Sequence, residues 1–118
     1  MSIDQTIAKQ REELIHLMLA ANQGVEETPD SDVQQFIVGF VQALEESAKG
    51  DHRTRDLYLT SVIPALRAGQ MGLDVVLGGM IRVSVAAGAV LGPEHARWVA
   101  DYCAEYTGML LRLWQAEP

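Results

Sequence analysis

Cysteine is nearly absent from this chain: Cys103 is the only one in 118 residues. A lone cysteine cannot close an intramolecular disulfide or supply a cysteine-pair metal motif, so a reducing, cytoplasmic setting is expected. Lysine is almost as scarce, with Lys9 and Lys49 far apart in sequence. Nine basic residues face sixteen acidic ones, giving a net charge of -7 and a pI near 4.8. That balance opposes nucleic-acid backbones and anionic membranes as partners, and no Lys/Arg run builds a locally basic face. Aromatic residues make up only 6%, so a core must be mostly aliphatic. The first twenty residues lack the basic n-region and apolar run of a signal peptide. No repeat or low-complexity tract divides the chain, and its length fits one domain, 1–118, able to bury a core without metals or disulfides.

The longest apolar run is Leu73–Leu91, LDVVLGGMIRVSVAAGAVL, whose formal charges are Asp74 and Arg82. Leu73, Val76, Leu77, Met80 and Ala87 fall on one face of a helical projection, and Val75, Val83, Val90 and Leu91 fall elsewhere. A surface helix shows one apolar stripe, so this pattern predicts a central helix covered by several neighbours. Nineteen residues approach the length of a membrane span, but the charges, Ser84 and three glycines interrupt the run, and the flanking amphipathic segments need something to cover.

Around that run the spacing predicts helices. Residues 2–21 read as one helix with a capping box at Ser2 and Gln5, and with a wet middle from Gln10 to Glu13. Residues 22–30 form a loop in which Asn22, Gly24 and Pro29 punctuate the chain. A second helix runs from Ser31, with Gln34 completing another capping box, to Ala48. Its stripe is Val33, Phe36, Ile37, Phe40, Val41 and Leu44; Gly50 closes it. Residues 51–69 form a third helix that Asp51 can cap and Pro64 kinks. After residues 70–72 and the central helix, Pro93 opens a last helix carrying Trp98, Tyr102, Tyr106, Met109, Leu110 and Leu113. The fold class is therefore all-α: about five helices packed as a globin-like or irregular bundle around residues 73–91.

Chemistry-bearing clusters are sparse. His16, His52 and His95 form no H-x-x-x-H or H-E-x-x-H pair, with His16 at the boundary of its helix and the other two exposed. Glu12, Glu13, Glu45 and Glu46 read as solvated charges, and Gly78-Gly79 lacks the spacing and Lys-Ser/Thr of a phosphate loop. No catalytic set, metal site or cofactor motif is expected. Gly79, Ser84, Ala87 and Gly88 suit close helix approach. Asp74 and Arg82 either reach solvent or line a polar cavity, with Arg55 and Arg67 as candidate neighbours. Trp98, Tyr102 and Tyr106 pack in the core, or cover a pocket or a partner. The candidates for a ligand pocket or interface are thus Asp74, Met80, Arg82, Trp98, Tyr102 and Tyr106. An enzyme would require Asp74, Arg82 or His16 to converge in a cleft.

The pattern VIPALRAGQMGLDVVLGGMIRV (residues 62–83), followed by a last amphipathic helix, resembles the non-haem globin-like sensor domains at the N-terminus of RsbR-type stressosome proteins. The resemblance covers roughly residues 31–115. It implies an all-helical homodimeric module that binds no haem and takes part in signal input, with a signalling protein as a further partner. Such sensors usually precede a STAS output domain. The chain ends at Pro118, so the expectation is an excised sensor or a free-standing relative that signals by protein contact. No functional residue carries over from the family. The alternative is a small-molecule-binding bundle with an internal apolar pocket near Met80, Trp98 and Tyr102.

Overall fold

A computed structural model describes residues 2–22 and 31–116, with residues 31–33 described by backbone alone. Among the described residues six helices follow one another: α1 (Ile3–Lys9), α2 (Arg11–Asn22), α3 (Ser31–Ala48), α4 (Arg53–Ala68), α5 (Leu73–Leu91) and α6 (Ala96–Ala116). A 3-10 turn, Pro93–His95, leads into α6. No strand occurs among the described residues, and the all-α class holds. The expected Gly24 and Pro29 punctuation and the Ser31 cap lie outside what is described.

Glycine and proline set most helix ends where the sequence places them. α3 ends with Gly50 at φ 94°, a left-handed position that lets the Asp51 N–H reach back to the Glu46 carbonyl at 3.0 Å. α4 closes in the same way, its Met71 N–H donating to the Leu66 carbonyl at 3.1 Å, but the left-handed residue is Gln70 at φ 59°. α4 runs unbroken through Pro64, which is exposed. The Asp51 carboxylate accepts the Arg53 N–H at 3.1 Å and so satisfies one of the free donors of its first turn.

The expected single helix over residues 2–21 is two. Gln10, at φ -101° and ψ 13°, leaves helical geometry, yet its N–H still donates to the Thr6 carbonyl and its own carbonyl accepts from Leu14. The chain bends there without losing its hydrogen-bond ladder. The bend lets α1 pack on α3 while α2 lies along α5, and it buries Ile7 and Leu14 completely. The polar middle of this stretch marks the bend. At the N-terminus the Ser2 N–H donates to Gln5 Oε1 at 3.4 Å, completing the expected capping box.

Contacts order the five long helices as a closed ring: α5 packs on α2, α2 on α3, α3 on α4, α4 on α6, and α6 on α5. The core lies inside the ring, built from Leu14, Met18, Phe40, Leu44, Leu59, Met80, Val83, Tyr106 and Leu110 among others. The molecule measures 42 × 31 × 19 Å, and its thin dimension is about two helix diameters. In a structure two helices thick every helix has a solvent side. α5 packs against α1, α2, α6 and the 3-10 turn, but it is not covered on every side as its sequence pattern predicts. It buries Val76, Met80, Val83, Ala86, Ala87 and Leu91, and it leaves Val75, Ile81 and Val85 44%, 66% and 68% exposed.

Two polar residues also depart from expectation. Glu45, read as a solvated charge, is buried at 7% exposure and takes an ion pair from Arg11 of α2. His95, read as exposed, is mostly covered and its Nε2 lies 3.2 Å from Thr6 Oγ1, joining the start of α6 to α1.

Candidate functional site

The sequence-nominated residues separate into three places. Met80, Tyr102 and Tyr106 belong to the core. Trp98 stacks on Tyr102 with ring centroids 5.2 Å apart and planes 13° from parallel, and Tyr106 lies one turn further along α6. Phe40 of α3 fills the space facing this ladder, meeting Tyr102 edge-on at 6.2 Å and Tyr106 at 4.9 Å. The Tyr102 hydroxyl accepts from Ser47 Oγ at 3.3 Å, and burial pushes its pKa up to about 12. The Tyr106 hydroxyl is fully buried and has no hydrogen-bond partner among the described residues; desolvation raises its pKa further. These aromatics are packing groups.

Asp74 and Arg82 go to different partners. The Asp74 carboxylate folds back beside Gly72 at the N-terminus of α5. The Arg82 side chain runs back along the helix over Gly78 and Gly79, and its Nε donates to Asn22 Oδ1 at 3.1 Å, pinning α5 to the end of α2. Asn22 in turn donates from Nδ2 to the Met18 carbonyl at 2.8 Å. The suggested neighbours are engaged elsewhere. Arg55, only 6% exposed, binds Asp56 and Glu105 at 3.1 and 3.3 Å. Arg67 lies over the Trp114 ring and donates to the Trp114 carbonyl. His16 is exposed on α2 and joins none of these contacts among the described residues. Asp74, Arg82 and His16 form no common hydrogen-bonded group, and no three His, Cys, Asp or Glu side chains among the described residues are placed to hold one metal ion.

What the sequence did not single out is the outer side of α5. Val75, Ile81 and Val85 stand there with Gly78, Gly88 and Ala89 between and beside them. A Cβ added at Gly88 would meet nothing within 4 Å, and one at Gly78 would meet only the Arg82 guanidinium at 3.5 Å. Neither glycine is explained by packing inside the chain, although each costs about 1 kcal/mol of helix propensity relative to alanine. Of the small residues nominated for close approach, Ala87 is buried in the core and Gly79 faces Asn22, as such contacts require. Ser84 lies beside Cys103 of α6, whose thiol is raised by burial and partly lowered again by that hydroxyl.

On α6, Cys103 faces α5 and Glu105 faces Arg55 of α4. At 100° per residue this places the exposed Arg97, Ala100 and Ala104 on the α5 side of α6. The site is the apolar ridge of Ile81 and Val85 on α5, with the exposed Asp74 on the same side of the helix two turns earlier. The signal for it was present in the uniform apolarity of residues 73–91. A helix with only two long neighbours covers half of its circumference and leaves the rest of that apolarity outside. No protein-family model matches the chain, and comparison with curated proteins and with solved structures also finds no match.

Proposed function

We propose that the protein is a non-catalytic, dimeric helical module that senses or relays a signal through protein–protein contacts. The observation that carries this reading is the apolar outer side of α5. Isolated exposed apolar residues are ordinary, but Ile81 and Val85 are adjacent on one face, with Ala89 one turn further along it. The resemblance of residues 62–83 to stressosome sensor domains supports signal input as the role, with a cytoplasmic location. Arg82 links α5 to α2, and the Ser84–Cys103 contact links it to α6, so a shift of α5 would be passed to both neighbours. By length and composition α5 could also cross a membrane, but its inner face is committed to α2 and α6 in this fold.

The alternative, a bundle with an internal apolar pocket near Met80, Trp98 and Tyr102, has less support, because Phe40 occupies the space that such a pocket would need. Sedimentation velocity of the purified chain at micromolar concentration tests the leading reading. A dimer is expected, and a monomer across that range would remove its physical basis.

A further inference from the structure

We infer that α1 is a hinged arm with two positions: the docked one of this structure, and a straight one in which residues 3–22 form a single helix, Thr6 leaves His95 and Ile7 leaves the core. The hinge is Gln10. The device lies within one chain, so it goes beyond the dimeric reading above and stands or falls apart from it.

Three observations carry it. The first is the hinge. Gln10 stands at φ -101° and ψ 13°, about 40° in φ and 55° in ψ from a regular helix. The bonds on both sides of it, Gln10 N–H to the Thr6 carbonyl and Leu14 N–H to the Gln10 carbonyl, are already made at 3.0 and 2.8 Å. Straightening therefore turns one residue and breaks no helical bond. In the straight helix Ile3 and Ile7 fall within about 60° of Leu14 and Met18, on one apolar stripe. The second is how little holds the docked position. α1 has seven residues, too few for a stable helix on its own, and its one buried side chain is Ile7. Ile3 is partly covered. A polar tie joins Thr6 Oγ1 to His95 Nε2 at 3.2 Å. Thr6 gives its hydroxyl hydrogen to the Ser2 carbonyl at 3.0 Å, so it accepts in this tie and His95 Nε2 carries the hydrogen. The third is that α2 stays behind. Arg11, the first residue past the hinge, is held to the buried Glu45 of α3, and Leu14 and Met18 are fully buried.

The two positions differ in what they expose. Docked, α1 closes the side of α3 and α5 against which it packs, and His95 ties it to the start of α6. Straight, it uncovers that side and carries Ile3 and Ile7 away with it. The capping box at Ser2 is local to α1, so the arm moves as a helix. A shift of the Pro93–His95 turn pulls His95 from Thr6 and favours the straight position, which makes the arm a reporter of the corner between α5 and α6.

NMR relaxation dispersion on the intact chain is the test, because the Cα shift of Gln10 differs between the two positions. A minor state is expected in which Gln10 takes a helical Cα shift while residues 4–9 keep theirs. His95→Ala should raise its population about two- to tenfold, the worth of one hydrogen bond. Ile7→Ala should raise it at least about thirtyfold, since it removes the buried anchor. The two substitutions together should make the straight position predominant without loss of helical circular dichroism. Leu57→Glu, at a 71% exposed position on α4, should leave the population unchanged. Coil shifts for residues 4–9 in the minor state mean that α1 frays instead of swinging, and they overturn the inference. So does a docked α1 in the double variant, or a double variant in which α2 to α6 unfold together with α1. A wild-type monomer in sedimentation removes the dimeric reading and leaves the arm standing.

Discussion

Gly39→Ala is the substitution that most directly probes how α3 and α4 are held together. A Cβ built on Gly39 falls 2.6 Å from the Tyr58 hydroxyl oxygen and closer still to two atoms of its ring. Tyr58 cannot simply swing aside. Its hydroxyl donates to the Phe36 carbonyl at 2.9 Å and lies 3.1 Å from the Gln35 carbonyl, and its ring packs on Phe36. Moving it forfeits a hydrogen bond with a net worth of about 0.5–1.5 kcal/mol. The accompanying overpacking costs about 1–3 kcal/mol. Alanine recovers about 1 kcal/mol of helix propensity. The sum is a destabilisation of about 2 kcal/mol, which lowers the melting temperature by roughly 5–10 °C in a domain of this size. Urea denaturation followed by circular dichroism measures it, and the decisive arm is the same substitution in a Tyr58→Ala background. There the obstacle is gone, and Gly39→Ala should stabilise by about 0.5–1 kcal/mol through propensity alone. A neutral effect in the wild type, or an equal loss in both backgrounds, would refute the claim that the glycine exists to admit the tyrosine.

Three further outcomes are expected. Gln70→Gly should stabilise by about 0.5–1 kcal/mol in the same denaturation assay, because Gln70 holds the left-handed position that Gly50 occupies at the end of α3. Arg11→Met should destabilise by about 1–2 kcal/mol, a figure reduced because Arg11 is half-exposed while Glu45 is buried. Adding Glu45→Leu should recover most of that loss by removing the orphaned carboxylate. The Arg53 guanidinium and backbone N–H hold the Asp51 carboxyl well below its ordinary 3.8, at about 2. A depressed folded pKa means that Asp51's contribution is complete above pH 4 and is lost as pH falls from about 4 to about 2. Carboxyl NMR titration should find the low midpoint, and Arg53→Ala should return it to the ordinary range.

The outer face of α5 shows where sequence reasoning reaches its limit in the candidate site. Apolar and aromatic residues at helical spacing, as at Met80, Tyr102 and Tyr106, mark either core or interface, and spacing alone does not choose between them. The fold assigns all three to the core. Ile81 and Val85 carry no separate signal, because the uniform apolarity of residues 73–91 predicts a helix covered on all sides. Glu45 was equally illegible: it lies at the edge of the α3 stripe, and whether it meets water or Arg11 depends on where α2 lies.

Local chemistry by itself determined the helices. Residues 31–48 and 73–91 fold with the boundaries their sequence predicts, because Gly50, Gly72 and Gly92 and the apolar spacing act within a few residues of the chain. The capping box at Ser2 and the Asp51 contact at the start of α4 are local in the same sense. Only the tertiary structure decided which side of each helix is inside. The bend at Gln10, the ion pair that buries Glu45, the His95–Thr6 contact and the place of α5 in the ring all depend on helices distant in sequence. Apolarity measures how much a helix gains from being covered, whereas the order of its neighbours sets which residues are covered. α5 has more apolar surface than its two long neighbours can cover, and Ile81 and Val85 are left on its uncovered side.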